Sequence, residues 1–200
     1  MKSRSELILG GQRSGKSRRA ELLARDWLAT SPSRQAVMIA TAQAWDEEMV
    51  ERIARHQQDR AERVPGMTTV EEPTALGEAI QAHSAPQTLV VVDCLTLWLT
   101  NLLMPHEVAK TTGNSQHIPS KEAVTQKIIG QTATLLVAIK NSVGPLILVG
   151  NEIGLGVIPM GRETRAFVDA LGRLNQDVAA ACERVTFMAA GLPLTLKGQA

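Results

Sequence analysis

The stretch Gly10-Gly11-Gln12-Arg13-Ser14-Gly15-Lys16-Ser17 decides the fold. It fills the frame G-x-x-x-x-G-K-[ST], the phosphate-binding P-loop. Gly10 and Gly15 let the backbone curl so that successive N–H groups point inward at a phosphate chain. Lys16 adds a cation at the outer phosphates, and the hydroxyl of Ser17 is a ligand for Mg²⁺. The flanks agree with this. Leu7, Ile8 and Leu9 form a short apolar run, as expected of a buried parallel strand. After Ser17 comes Arg18-Arg19-Ala20-Glu21-Leu22-Leu23-Ala24-Arg25, rich in helix formers. That helix turns its positive N-terminal end to the same anion. Strand, loop and helix in this order separate a nucleotide site from a chance glycine-rich turn.

Outward from the loop, apolar runs alternate with helical patterns. Further strands are predicted at Ala36–Ala40, Thr88–Val92 ending at Asp93, Leu146–Val149, Val185–Met188 and Leu192–Leu196. Helical patterns fall near 46–60, 74–83, 94–104, 120–141 and 162–182. Such alternation predicts an α/β fold of the P-loop NTPase type, with a mostly parallel sheet and helices on both faces. The last two strands are close together, which predicts a C-terminal antiparallel hairpin. Pro105 to Pro119 reads as an exposed loop, and Ala61 to Met67, with Pro65-Gly66, as a second one. Neither breaks the chain, so residues 1–200 are expected to form a single nucleotide-binding catalytic domain.

Composition removes several function classes. The apolar fraction is 44% and the formal net charge +1, with no extended basic block, so nucleic acid is not the expected partner. No apolar stretch reaches the length of a membrane span, and no signal-peptide core precedes the first strand, so cytoplasm is the expected compartment. Cys94 and Cys182, the only two cysteines, read as buried thiols. The four histidines show no metal-ligand spacing. No N-K-x-D guanine-reading motif stands at a strand end, which disfavours a switch GTPase.

Asp93, at the end of the strongest apolar strand, is placed where P-loop enzymes keep a carboxylate for Mg²⁺. Capping of the following helix is the other use of an Asp there. Asp46 to His56 runs from acidic to basic, which suits a helix dipole. On the residues alone, Arg52, Arg55 and His56 therefore read as a solvated helix end. Asn151-Glu152, followed by Gly154, Gly156 and Pro159, makes an irregular loop at the sheet edge where ligands bind in open α/β folds. These features leave two lesser readings open. One is a P-loop small-molecule kinase without nucleotidyl transfer. The other is a non-catalytic GTP-binding regulatory module.

Taken together, several segments carry a resemblance. They are the P-loop at 10–17, Ala40-Thr41-Ala42, and Asp46-x-Glu48-Met49-x-x-Arg52-Ile53-x-x-His56-x-x-x-Arg60. Asp93-Cys94-Leu95-Thr96 with Asn101-Leu102-Leu103 follows, then Gly150-Asn151-Glu152-Ile153-Gly154-x-Gly156-x-Ile158-Pro159, Gly172-x-x-Asn175-Gln176 and Gly191-Leu192-Pro193. In this order the chain resembles the bifunctional adenosylcobinamide kinase / adenosylcobinamide-phosphate guanylyltransferase family of cobalamin assembly. The resemblance implies phosphorylation of adenosylcobinamide by ATP or GTP, then transfer of GMP from GTP through a histidine to give adenosylcobinamide-GDP. It makes His56 the nucleophile and Lys16 its phosphate-binding partner in catalysis. It places nucleotide against Gly10, Gly11, Gln12, Arg13, Ser14, Gly15, Lys16 and Ser17. Ala40, Thr41, Ala42, Gln57, Gln58, Asp59, Arg60, Glu71 and Asp93 would also contact nucleotide. Ser17 and Asp93 would hold Mg²⁺. The family often has Glu where Asp93 stands, Trp where Met67 stands, and Gly where Asp59 stands. It also forms homo-oligomers, commonly trimers.

Overall fold

The computed structural model describes residues 4–104 and 120–198. Among them β1 (Ser5–Gly10), β2 (Gln35–Ala40), β3 (Met67–Glu71), β4 (Thr88–Asp93), β5 (Leu146–Val149), β6 (Arg184–Ala189) and β7 (Leu192–Lys197) form one sheet. Its order is β3-β2-β4-β5-β1-β6-β7. The pairs from β3 through β6 are parallel, and β7 returns antiparallel to β6. The helices are α1 (Lys16–Leu28), α2 (Glu47–Arg63), α3 (Leu76–His83), α4 (Leu95–Leu103), α5 (Lys121–Asn141) and α6 (Arg162–Ala181). The fold is therefore the mostly parallel α/β architecture with a terminal hairpin that the sequence predicts. None of the described helices is long and apolar enough to cross a membrane.

Central strands are apolar on both sides because both faces are covered. The two faces are covered unequally. Leu7, Leu9, Ile39, Val90, Val92 and Leu148 face α3, α4, α5 and α6, where Trp98 and Leu102 are buried. Ile8, Met38, Val91, Ile147 and Met188 face α1, which buries Ala20, Ala24 and Trp27 against them. Helix α2 contributes little to this core: along its length only Arg60 is buried.

Three expectations are corrected. Helix α2 continues to Arg63, so only Val64, Pro65 and Gly66 remain of the loop expected over Ala61 to Met67. His56 consequently sits in mid-helix rather than at a helix end. Met67 opens β3, a strand for which the sequence has no apolar run: Thr68, Thr69 and Glu71 are exposed on a strand at the rim of the sheet. The expected loop from Pro105 to Pro119 lies outside the described residues.

Where α3 crosses α5 the backbones nearly touch. A Cβ on Gly77 would stand 2.8 Å from both the carbonyl carbon and Cγ2 of Thr134. Backbone atoms cannot yield as a side-chain tip can, so overpacking outweighs the better helix propensity of alanine. Gly77→Ala is expected to lower stability by about 1–3 kcal/mol. In urea this reads as a lower midpoint with an unchanged slope.

Candidate functional site

The C-terminal ends of the parallel strands meet in register. Glu71 pairs with Ala40, Ala40 with Asp93, and Asp93 with Val149. Val149 lies beside Ile8 of β1, two residues before Gly10. The P-loop thus rises next to the strand that neighbours β4. It is braced from the other side by the hairpin. Gly191 donates its N–H to the Ser14 carbonyl at 3.1 Å, and a Cβ on Gly10 would stand 2.5 Å from the Met188 carbonyl. The turn residues Ala190 and Gly191 both have positive φ, at 51° and 80°. Sequence reading found the hairpin but not its contact with the loop.

Inside the loop, the Lys16 ammonium is buried and donates to the Gly11 carbonyl at 2.5 Å. Burial holds its pKa below the ordinary lysine value, while the neighbouring Cys94 and Asp93 act to raise it. The Ser14 hydroxyl is buried in the loop without a hydrogen-bond partner, close to where a Cβ on Gly10 would stand. The Asp93 carboxylate accepts a hydrogen bond from the Ser17 hydroxyl. Burial pushes its pKa up, and Ser17, then the charges of His56, Arg60 and Lys16, pull it back. Asp93 does not cap α4: the N-cap is Cys94, whose side chain makes no capping bond. A desolvated carboxylate touching a hydroxyl is an oxygen donor pair that suits Mg²⁺, whose other ligands are commonly phosphates and water. Among the described residues no cluster of three or more His, Cys, Asp or Glu could hold a metal alone.

Both thiols are free and buried, as expected from sequence. Burial raises Cys94 and Cys182 from 9.0 to about 12. The reactive thiolate is therefore scarce near neutrality. Ellman's reagent at pH 8 is expected to find no thiol in the folded protein and two after denaturation. Because these pKa values are raised on folding, their contribution is intact below pH 9 and is lost as pH climbs toward 12. Melting temperature should accordingly fall across that window.

Helix α2 begins at Asp46, whose carboxylate accepts from Met49 N–H at 2.7 Å. It ends where Arg63 reaches Glu21 of α1 at 2.9 Å and Asp59 at 2.8 Å. Glu21 is buried on α1, so this pair ties the P-loop helix to the helix that carries His56. His56 itself is exposed, yet its charge, like that of the buried Arg60, acts on Asp93. The structure therefore gathers Lys16, Ser17, Asp93, His56 and Arg60 at one sheet edge.

Other expected positions are placed differently. Gln12 and Arg13 are exposed on the crest of the loop, whereas Gln57 and Gln58 are exposed on α2, and Gln58 bonds Glu62 at 3.3 Å. Asp59 is engaged by Arg63. Glu71 is exposed at the rim strand, about 10 Å from Asp93 by strand spacing. Ala40 and Ala42 are half-buried beside the strand ends. Thr41 is fully buried, and its hydroxyl donates to the Cys94 carbonyl at 2.7 Å and accepts from the Cys94 N–H at 2.8 Å. Its N–H donates to the Asp93 carbonyl at 3.1 Å as well, so Thr41 clamps β2 to β4 with its polar groups already engaged. Sequence reading assigned no role to Asn101, which is buried and bonds the carbonyls of Thr41 and Pro73 at 2.8 and 3.0 Å. Nor did it find one for Asn175, which bonds the Asn151 carbonyl at 3.0 Å.

The sequence is similar to those of known proteins. The family described as cobinamide kinase / cobinamide phosphate guanyltransferase matches residues 6–196. The chain is 45% identical over 195 residues to the bifunctional adenosylcobalamin biosynthesis protein CobP of Pseudomonas aeruginosa, covering 97% of this chain and 98% of that one. It is 37% identical over 191 residues to the bifunctional adenosylcobalamin biosynthesis protein CobU of Escherichia coli, covering 96% and 98% of the two chains. The protein of the same description from Salmonella typhimurium is 34% identical over 191 residues, covering 96% and 98%.

Proposed function

This chain belongs to the cobinamide kinase / cobinamide phosphate guanyltransferase family, and from that membership we propose that it performs two successive reactions in cobalamin biosynthesis. In the first, it phosphorylates the alcohol arm of adenosylcobinamide with ATP or GTP. In the second, it transfers GMP from GTP by way of His56 to the phosphate so formed, giving adenosylcobinamide-GDP. The observation that carries the reading is the convergence of Lys16, Ser17, Asp93 and His56 on one sheet edge.

The P-loop N–H groups and Lys16 bind the triphosphate and offset charge that moves onto the leaving phosphates. Ser17 and Asp93 would hold Mg²⁺, which would supply charge neutralisation for the phosphates. In the second reaction a ring nitrogen of His56 attacks the α-phosphorus of GTP, and pyrophosphate leaves with the electron pair of the broken P–O bond. The phosphoramidate keeps GMP until an oxygen of the acceptor phosphate attacks the same phosphorus and frees the imidazole. Most of the rate comes from in-line positioning and charge neutralisation. The Glu21–Arg63 pair holds α2 to α1 and so sets where His56 can reach.

The test is GTP labelled on its α-phosphate. The protein should take up an acid-labile, alkali-stable label that adenosylcobinamide phosphate discharges. No label, with phosphorylation intact, leaves a kinase alone. Binding with neither turnover leaves a regulatory module.

A further inference from the structure

Resting on that reading, we propose that Glu152 is the base that receives the proton of the acceptor hydroxyl in the phosphorylation step. Nothing in the first reaction as described above removes this proton. Lys16 and Ser17 are donors, and Asp93 is engaged with Ser17. Glu152 stands at the right place. Its N–H donates to the Gly10 carbonyl at 3.0 Å, which fixes it at the root of the P-loop. The preceding Asn151 N–H donates to Thr96 Oγ1 at 2.9 Å, on the helix that follows Asp93. The residue is thus wedged between the phosphate cradle and the end of β4.

Its carboxylate is held and still reachable. One oxygen accepts from the Gly154 N–H at 3.0 Å, and the other faces the Asn175 amide at 3.4 Å. Asn175 is itself buried and also grips the Asn151 carbonyl, so the rotamer of Glu152 is set by α6. The side chain remains half-buried, so the carboxylate is not sealed from solvent.

Gly154, whose N–H holds the Glu152 carboxylate, lines a cavity of about 240 Å³ between the loop after β5 and α6, together with Ile153, Pro159, Arg165, Val168 and Asp169. Binding cavities for whole drug-sized molecules run from about 300 to 1,000 Å³, so this one is sized for a short arm and not a macrocycle. Arg165 pins the loop through the Pro159 and Met160 carbonyls at 2.9 and 2.5 Å. At the mouth of the cavity Val157, one of its lining residues, is 96% exposed, and Met160 just beyond it is 95% exposed, which makes an apolar rim. An acceptor with a small hydroxyl-bearing arm and a large, partly apolar body matches both parts. In this proposal the arm enters the cavity past Gly154, the residue that holds the Glu152 carboxylate, and the body rests on the rim.

The step balances. The hydroxyl oxygen bonds to the γ-phosphorus, and the bond from that phosphorus to the β–γ bridging oxygen breaks. The nucleoside diphosphate leaves with the electron pair, and the hydroxyl proton passes to Glu152 and on to water.

Glu152→Gln tests this in the full-length protein. Its kcat for phosphorylating adenosylcobinamide should fall on the order of 10²–10³-fold, with KM for the acceptor little changed. GMP labelling of His56 by GTP, which needs no acceptor, should stay at the wild-type rate. Glu152→Asp keeps a carboxylate, should recover part of the lost kcat, and serves alone if the Gln variant does not fold. Three results overturn the assignment: wild-type phosphorylation by Glu152→Gln, equal loss in the Gln and Asp variants, or joint loss of His56 labelling. Absence of both activities in the wild-type protein removes the underlying function, and this assignment with it.

Discussion

His56→Ala is expected to abolish the acid-labile GMP label and to slow guanylyl transfer on the order of 10⁴-fold or more, since no other group can take over an attacking atom. Phosphorylation of adenosylcobinamide should largely survive. The groups proposed for that step, Lys16, Ser17, Asp93 and Glu152, lie on the P-loop, β4 and the loop after β5, and none hydrogen-bonds His56. The loss cannot be assigned to unfolding. His56 is exposed in mid-helix, where alanine is the better helix former, so melting temperature should be unchanged or slightly higher. One modest side effect follows from electrostatics. His56, when protonated, helps pull the Asp93 pKa down. Without it, Asp93 keeps its proton to a higher pH, and the acid side of the kinase profile should move upward. A variant that still transfers GMP at the normal rate would sink the histidine route.

Much of the fold was legible because its signals are local. Leu7-Ile8-Leu9 before the glycine loop, Leu89 to Val92, and Leu146 to Val149 are continuous apolar runs, and such runs arise only when both sheet faces are covered. β3 was not legible for the converse reason. It sits at the rim, exposes Thr68, Thr69 and Glu71, and so carries no apolar signature. The end of α2 is hard to read because Ala61-Glu62-Arg63 is polar and stands just before Pro65-Gly66, so the turn signal masks the last three helical residues. The site divides in the same way. Lys16, Ser17 and Asp93 are fixed to strand ends and a local motif, and pattern reading finds them. The approach of α2 to the cradle depends on Arg63 reaching a glutamate that looks like a surface residue of α1. Asn101 and Asn175 are equally silent. A buried asparagine that closes backbone carbonyls has the same letter as one in water.

Under the proposed scheme Lys16→Ala should damage both reactions, each by on the order of 10²–10³-fold, because one preorganised cation would serve the phosphates in both. It should do so without harming the fold. The Lys16 ammonium is buried, and that burial holds its pKa below the ordinary value. A lysine whose pKa falls on folding is one whose charge the folded state disfavours, so at neutral pH it costs stability. Its hydrogen bond to the Gly11 carbonyl offsets only part of that. The alanine variant is therefore expected to melt at or above the wild-type temperature while its affinity for GTP and ATP drops. This is the signature of a group kept for binding at the expense of stability. Two measurements on one sample decide it: a thermal melt and a nucleotide titration. A variant that melts lower and binds nucleotide normally would make Lys16 a structural residue, and would leave the cradle without the cation that both reactions require.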